Sequence, residues 1–268
     1  MKNSLDNRSV KLTRELICKP TKFNAELQRL FYITLASANI NYDLPLKPYN
    51  AIAIKKSDLF EKLNVTDSDR HFRYRKLFNK MQRASFFTFN DNDSYEDGYI
   101  FYHVSGNRHY WYIYVNEMFM PIIQNVSSNY VQLLLDDAIY FQSKFSMTLY
   151  QNLLSLNNEC VIDSSTYKVA DYTTRQLKDI FGMEIGDYVR KDGSFARKHF
   201  ETYCIEKAVI EINSNSKLIK NLTWSKEYYG RNVGKYVFTY QVDDIDRYKY
   251  GEESYQKLLQ HPKTAKTA

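Results

Sequence analysis

The stretch SFARKHFETYCIEKAVIEI, residues 194–212, is the strongest indication of the fold in the sequence. Phe200, Cys204 and Ala208 follow one another at intervals of four, which is the spacing of a buried helix face. Ser194 stands where a helix cap is expected, and an arginine and a lysine follow it within the first turns. The stretch therefore predicts one long helix, from about Ser194 to Ile212, with a buried face and a basic N-terminal end.

The elements on either side of this helix predict a winged helix-turn-helix domain. Upstream, TTRQLKDIFG at residues 173–182 predicts a short helix that Thr173 caps and Gly182 ends. The other predicted elements of this half are helices over residues 140–156 and 175–181 and strands over residues 218–224 and 236–242. The strands surround a turn that holds Gly230 and Gly234. Three helices followed by a hairpin is the element order of this fold.

The first half of the chain has the same order of elements. Its predicted helices cover residues 24–38, 58–63 and about 67–84, and its predicted strands cover residues 51–54, 86–89, 99–104 and 110–115. Asn24 and Ser57 are the predicted helix caps. Residues 90–98 form a predicted acidic turn, and residues 105–108 a second turn. The repeat lies in the order of elements, since the residues of the two halves do not match.

This order predicts an α+β fold, mainly helical, made of two tandem winged helix-turn-helix domains. Residues 1–125 are expected to form the first domain and residues 126–250 the second. Residues 251–268 form a polar tail.

The composition limits which partners the protein can bind and in which compartment it is expected. The net charge of +6 and the pI of about 8.9 suit a polyanion, although many proteins of this charge bind none. Cys18, Cys160 and Cys204 are odd in number and far apart, so reduced and mostly buried thiols are expected. The N-terminus lacks the apolar segment of a signal peptide, and no apolar run approaches the roughly 20 residues of a membrane span. We therefore predict a cytoplasmic protein without a membrane partner.

Motifs for catalysis are missing from the sequence. There is no glycine-rich loop ending in Lys-Ser/Thr, as an ATPase or helicase would need. No two histidines are separated by a single residue, as in metal-dependent nickases, and His103 and His109 flank a predicted hairpin turn instead. The acid pairs at residues 136–137 and 243–244 are expected to be solvated. We predict no enzyme activity, no cofactor and no metal site.

Cations concentrate on the predicted helices and turns that a winged helix presents to DNA. Residues 70–83, RHFRYRKLFNKMQR, contain six cations and no acid, whereas an ordinary solvated helix usually includes acids. The predicted DNA contacts of the first half are Arg70, Arg73, Lys76, Lys80, Arg83 and, at the hairpin turn, Arg108. Those of the second half are Arg175, Lys178, Arg190, Lys191, Ser194, Arg197, Lys198, Thr202, Lys226, Arg231 and Lys235. Cations at a helix N-terminus favour a phosphate or a base edge, and hairpin cations favour the backbone or the minor groove.

Four segments of the second half match the motifs of one superfamily. TTRQLKDIFG fits a hydroxyl-x-x-x-Leu-Lys-x-x-x-Gly helix, and residues 200–213 fit a helix that ends in Ala-x-x-Glu-Ile-Asn. Gly230-Arg231 fits a wing, and FSMTLY at residues 145–150 fits a Ser-x-Arg-Leu-Tyr helix with Thr148 in place of the arginine. On these residues the chain resembles the tandem winged-helix superfamily of iteron-binding plasmid replication initiators, over residues 140–242 and more loosely over residues 24–115.

The resemblance implies a function for both domains. It implies a protein that binds origin direct repeats (iterons) on double-stranded DNA as a monomer, reads them with the second domain and contacts the DNA backbone with the first. It also implies dimers joined through the N-terminal domain that repress the protein's own gene, and opening of the origin together with recruited host replication proteins. Thr202 and Tyr203 stand where the family often has two basic residues, so the base contacts are expected to differ.

Three other classes of function remain open on the sequence. A winged-helix transcriptional repressor without an initiation role would bind a lone inverted repeat instead of direct repeats. A relaxase or nuclease would cleave origin DNA with a metal ion. A protein-interaction scaffold would bind DNA no better than its net charge predicts.

Overall fold

The computed structural model describes residues 9–13, 23–38, 51–91, 94–120, 130–156, 159–162 and 165–243. The helices are α1 (Ala25–Ala38), α2 (Lys56–Lys62), α3 (Arg70–Ala84), α4 (Leu135–Tyr140), α5 (Lys144–Ser155), α6 (Thr174–Ile180), α7 (Arg197–Phe200) and α8 (Lys207–Asn215). A π-helical segment, Glu201–Glu206, connects α7 to α8, and the continuous unit over residues 197–215 is called the long helix. None of the helices in these ranges is both long and apolar enough to cross a bilayer.

The strands in the described ranges form four small antiparallel sheets. They are β1 (Ser9–Thr13), β2 (Ala51–Lys55), β3 (Phe86–Asp91), β4 (Ser94–Tyr99), β5 (Phe101–Gly106), β6 (Tyr110–Val115), β7 (Tyr130–Leu134), β8 (Glu159–Ile162), β9 (Ser165–Tyr172), β10 (Ile219–Tyr229) and β11 (Asn232–Val242). The sheet orders are β2-β6-β5, β10-β11-β9-β8, β1-β7 and β3-β4. We refer to α1 through β6 as the first domain and to α5 through β11 as the second, with α4 between them.

An aromatic cluster holds the first domain together. α1 begins where the sequence predicts, since Asn24 Oδ1 accepts a hydrogen bond from Leu27 N at 3.0 Å. Strand β6 pairs with β2 and places buried Trp111 opposite Ile54. The Trp111 ring centroid lies 5.5 Å from that of Phe60 on α2 and 5.1 Å from that of Phe78 on α3. Trp111 therefore fixes α2 and α3 on the same sheet.

Two predictions for the first domain are wrong in detail. α2 begins at Lys56, and Ser57 does not cap it, because the Ser57 hydroxyl donates to Asp58 Oδ1 at 3.0 Å. Most of the acidic segment predicted as a turn is strand β4, which pairs with β3. The Phe86 and Tyr99 rings lie opposite each other with centroids 5.1 Å apart. Such a cross-strand aromatic pair stabilises the ribbon in spite of the low strand propensity of acidic residues.

The helix predicted over residues 140–156 is α5, which begins later than predicted, at Lys144, and a separate helix, α4, ends at Tyr140. Ser143 caps α5 by accepting a hydrogen bond from Phe145 N at 3.1 Å. Phe141 lies between the two helices and is fully buried, with its ring 5.1 Å from that of Tyr150. The apolar side chain of Phe141 continues the helical spacing of apolar residues, so the sequence does not show that α4 ends before Phe141 and that α5 begins after it.

The second sheet is larger than predicted. Strand β9, which was not predicted from the sequence, pairs with β11, and Ala170 lies opposite Phe238. Strands β10 and β11 extend to a turn at Gly230, so Gly234 lies within β11 instead of in the turn. A Cβ atom at Gly234 would lie 2.0 Å from the Tyr229 ring. Glycine is thus required there because an aromatic ring packs on the backbone.

Cys204 has the expected free and buried thiol. Burial raises the pKa of this thiol to about 11, and the thiol donates a hydrogen bond to Tyr188 Oη at 3.1 Å. The protonated thiol is a packing group of the long helix. Cys18 and the side chain of Cys160 lie outside the described residues.

Candidate nucleic-acid interface

Helix α3 carries its cations on the side opposite the core. Tyr74, Phe78 and Met81 are buried, as the spacing predicts. The exposed cations of α3 are Arg73, Arg75, Lys76, Lys80 and Arg83; Arg75 was not among the predicted contacts. Lys76 Nζ lies 4.2 Å from the centroid of the exposed Phe72 ring. Within the described part of the chain, the Lys80 and Arg83 side chains have no ion-pair partner, so a phosphate can approach both.

Arg70 and Arg73 contact the protein itself. Arg70 Nη1 donates to the carbonyl oxygen of Val65 at 3.2 Å. Arg73 makes ion pairs with Glu26 Oε1 at 2.7 Å and with Asp67 Oδ2 at 3.3 Å. The hydrogen bond and charge of Glu26 are the main cause of a raised Arg73 pKa. These contacts hold the turn before α3 and the start of α1 against the helix.

The hairpin of the first domain presents Arg108 at its tip. Asn107 Oδ1 accepts hydrogen bonds from the backbone N–H groups of His109 and Tyr110, both at 2.8 Å. This turn leaves the Arg108 side chain exposed. His103 lies on β5, and its ring centroid is 5.0 Å from that of Tyr114 across the sheet.

Helix α6 is capped as predicted. Thr173 and Gln176 form a capping box, in which Gln176 N donates to Thr173 Oγ1 at 3.2 Å and Thr173 N donates to Gln176 Oε1 at 2.8 Å. Lys178 Nζ donates to the carbonyl oxygen of Asp187 at 3.3 Å and lies 4.3 Å from the centroid of the Phe195 ring. Arg175 is exposed. Lys178 therefore also stabilises the turn that leads to the long helix.

Ser194 does not cap the long helix. The helix begins at Arg197, and the residue at its N-cap position, Ala196, has no side chain that could accept a hydrogen bond. The Ser194 hydroxyl donates to Asp192 Oδ1 at 2.6 Å, a contact that lowers the pKa of the Asp192 carboxyl. The Ser194 hydroxyl is therefore used within the turn at Asp192 and is not available to cap the long helix. Arg190 and Lys191 are exposed in the same turn.

The outward face of the long helix differs from the predicted one. Lys198 is exposed, but Thr202 and Arg197 are half-buried. The exposed positions beside Lys198 are His199 and Tyr203, whose ring centroids are 5.9 Å apart. Tyr203 is 49% exposed and has Lys207 Nζ 4.7 Å from its ring centroid. In the sequence, Tyr203 stands out only as a departure from a basic position.

The π-helical segment explains why the buried stripe is straight. Residues spaced by four drift by about 40° per step around an α-helix. A π-helical turn holds more residues, so the drift is reversed across this segment. Phe200, Cys204, Ala208 and Ile212 are accordingly all fully buried.

Two of the three predicted cations in the second hairpin form ion pairs. Lys226 Nζ lies 3.0 Å from Glu201 Oε2 on the long helix, and Lys235 pairs with Asp171 on β9. Arg231 stands at the exposed tip, next to Gly230 with φ of +61°. In the described ranges Arg231 has no ion-pair partner. The wing therefore presents Arg231 outward and uses Lys226 and Lys235 within the domain.

The end of the long helix carries the Ala-x-x-Glu-Ile-Asn motif, and each residue has a packing role. Ala208 and Ile212 are buried. Asn213 brackets an irregular step in β10, since its Nδ2 donates to the Leu222 carbonyl oxygen at 2.8 Å and its Oδ1 accepts from Leu222 N at 2.9 Å. Glu211 accepts hydrogen bonds from the backbone and side chains at the start of α5, including Ser143 N at 3.2 Å. These contacts of Ala208, Glu211, Ile212 and Asn213 position the long helix within the domain.

Two family models match the chain, one in each half. The initiator replication protein WH1 model matches residues 9–154, and the initiator Rep protein WH2 model matches residues 173–240. The chain belongs to the initiator replication protein family. The tandem winged-helix fold class and the initiator identity that the sequence predicted are confirmed. The WH1 match extends through α5, which the predicted boundary at residues 125–126 assigns to the second domain, and that boundary stays a prediction.

The fold of this initiator is similar to that of a solved initiator structure. The structure described as "Crystal structure of Pi initiator protein in complex with iteron DNA" has a TM-score of 0.67 and 17% identity, and the match covers 91% of this chain and all of that one. Domains 2 and 3 of RctB match with a TM-score of 0.48 and 9% identity, over 81% of this chain and 82% of theirs. No curated protein sequence gives a significant match.

Proposed function

We propose that this initiator binds direct repeats of double-stranded origin DNA, or iterons, and starts plasmid replication there. In this proposal α3 and the long helix each lie in a groove of the repeat, and the two hairpins contact the backbone beside them. The second domain reads base edges, and the first domain contacts phosphates. The chain helps to open the origin and recruits host replication proteins, and no enzymatic step is assigned to it.

One observation carries this proposal. Both helix-turn-helix units present exposed cations on their outer surface that have no ion-pair partner among the described residues: Lys80 and Arg83 on α3, and Arg190, Lys191 and Lys198 around the start of the long helix. Phosphate oxygens and base acceptors are the groups that such cations bind. The similar Pi initiator was crystallised with iteron DNA, which supports the same kind of site here.

The remaining parts of the proposal concern partners and location. A dimer formed through the first domain represses the gene of the initiator, and the monomer binds the repeats. Since the plasmid and the host replication proteins are in the cytoplasm, the initiator acts there. A repressor without an initiation role would need only the same DNA-binding surfaces, but membership of the initiator family in both halves favours replication.

The test is a salt-dependent binding titration on direct-repeat DNA from upstream of the gene, against scrambled DNA of equal length. We expect the wild type to prefer the repeats. Arg197→Ala/Lys198→Ala is expected to lose about 100-fold or more in affinity for the repeats, because a contact to a base edge is worth about 1–3 kcal/mol. Equal binding of the wild type to both DNAs would contradict iteron recognition.

A matched control separates base contacts from charge. Lys144→Ala/Lys220→Ala removes the same charge from two positions outside the proposed interface. This control is expected to keep the preference for the repeats. A reduction in affinity equal to that of Arg197→Ala/Lys198→Ala would instead mean that net charge alone sets the affinity.

A further inference from the structure

Helix α4 lies between the two domains and carries two adjacent acids with distinct contacts. Asp136 Oδ1 lies 2.6 Å from Lys62 Nζ, at the end of α2 in the first helix-turn-helix unit. Asp136 Oδ2 lies 3.7 Å from Lys217 Nζ, just beyond α8 in the second. One carboxylate therefore bridges a lysine from each DNA-binding unit. In the closer ion pair the side chains of Lys62 and Asp136 are only 10% and 15% exposed. Solvent therefore screens this ion pair less than one on the surface.

Asp137 is completely buried, contrary to the expectation that this acid pair is solvated. Its Oδ2 accepts hydrogen bonds from Tyr150 Oη on α5 at 3.0 Å and from Ser216 Oγ at 2.8 Å. It also accepts from the backbone N–H group of Lys217 at 2.9 Å. The carboxylate thus joins α4 to α5 and to the segment that leads from the long helix into β10. The loss of these hydrogen bonds would leave buried polar atoms without partners, which costs free energy.

The long helix and β11 hold the two ends of α5, the first helix of the second domain. At the N-terminal end, Glu211 of the long helix accepts hydrogen bonds from the Gln142 and Ser143 backbone and from the Ser146 hydroxyl. At the C-terminal end, the Tyr240 hydroxyl of β11 donates to the Leu153 carbonyl oxygen at 2.5 Å. Helix α1 of the first domain packs against both α4 and α5. The α4–α5 segment is therefore in contact with both DNA-binding units.

We propose that Asp136 and Asp137 make α4 a rigid joint that fixes the distance and the helical phase between α3 and the long helix on DNA. This inference rests on the proposed function, since it concerns how both units reach one repeat. Two linked modules gain affinity from each other only when their geometry allows both to bind at once. A rigid joint makes this gain depend on the spacing of the two half-sites, whereas a flexible joint would tolerate several spacings. Asp136 and Asp137 are positioning residues that need no contact with DNA.

The experiment compares the natural repeat with a repeat that has five base pairs inserted between the two halves of its footprint. The insertion rotates one half-site by about half a turn around the DNA axis, because one turn of the double helix holds about 10–10.5 base pairs. For the wild type we expect a penalty of about 100-fold, since the two linked units can no longer bind at the same time. For Asp136→Asn we expect weaker binding to the natural repeat and a penalty of about tenfold or less.

Two further variants keep the test independent of folding defects. Lys217→Gln removes the ion pair of Asp136 with the second domain, at a side chain that is 46% exposed. It is expected to reduce the insertion penalty, as Asp136→Asn does. Glu117→Gln changes the net charge as Asp136→Asn does, but at an exposed position just after β6, and should keep the full wild-type penalty. Thermal unfolding confirms that each variant is folded before binding is compared.

The outcomes separate the joint from the proposed function. A full 100-fold penalty in both Asp136→Asn and Lys217→Gln would overturn the joint while leaving repeat recognition intact. If the wild type binds the natural repeat no better than scrambled DNA, the proposed function fails first, and the joint fails with it. A reduced penalty in these two variants, with an unchanged penalty in Glu117→Gln, supports the joint.

Discussion

The two helix-turn-helix units present cations on their outer surfaces with different arrangements of residues. In the first unit, cations are spread along the whole length of α3, and no acid lies among them over residues 70–83. In the second, Arg197 and Lys198 stand at the start of the long helix, followed by His199 and Tyr203 on its exposed side. The first surface is suited to several phosphates along a groove, and the second to a few base edges at a helix N-terminus.

The supports of the two units differ as well. The second unit has the Thr173–Gln176 capping box and a π-helical segment within its long helix. The first has no side-chain cap on α2 or α3, and the ion pairs of Arg73 hold its turn instead. These differences indicate that the second unit is fixed by local hydrogen bonds and the first by contacts with α1.

Helix α3 is expected to contact phosphates and not base edges. Lys80→Ala/Arg83→Ala is expected to weaken binding to repeats and to scrambled DNA equally, because phosphate contacts carry no sequence information. The slope of log affinity against log salt should fall by about 2, which is close to one for each phosphate that the variant no longer neutralises. Titrations at several salt concentrations measure it. A selective weakening on the repeats would move base reading to the first domain.

The difference in capping predicts unequal effects of two similar substitutions. Thr173→Ala is expected to reduce the free energy of unfolding by about 1 kcal/mol, because it removes the capping box of α6. Ser57→Ala should change it by less than about 0.5 kcal/mol, since Ser57 caps nothing. Urea unfolding followed by circular dichroism gives both values. Equal effects would show that the two units depend on their hydroxyl residues alike.

The smallest expected effect concerns the hairpin of the second domain. Arg231→Ala should lower the salt slope of DNA binding by about 1, as expected for one phosphate contact. Lys235→Ala removes the same charge from a residue that pairs with Asp171, and it should leave the slope nearly unchanged. A drop in slope for Lys235→Ala would mean that DNA displaces Asp171 from this lysine.

The helices and hairpin of each winged-helix half, and the class of the protein, could be predicted from the sequence alone. The spacing of Phe200, Cys204 and Ala208 indicated the buried face of the long helix, and Thr173 indicated the start of α6. These features depend on neighbours within one turn of helix, so a local pattern is sufficient to reveal them. The basic character of α3 is likewise a property of consecutive residues.

Only the tertiary structure decided which polar side chains are free and which are bound within the protein. Glu26 is 47 residues from Arg73, Glu201 is 25 from Lys226, and Asp137 is 79 from Ser216. Such partners meet only after the chain has folded, and no local pattern encodes them. For the same reason strand β9 was missed, since its partner β11 lies far along the chain. The free cations and the buried acids of α4 follow from the packing of the two domains.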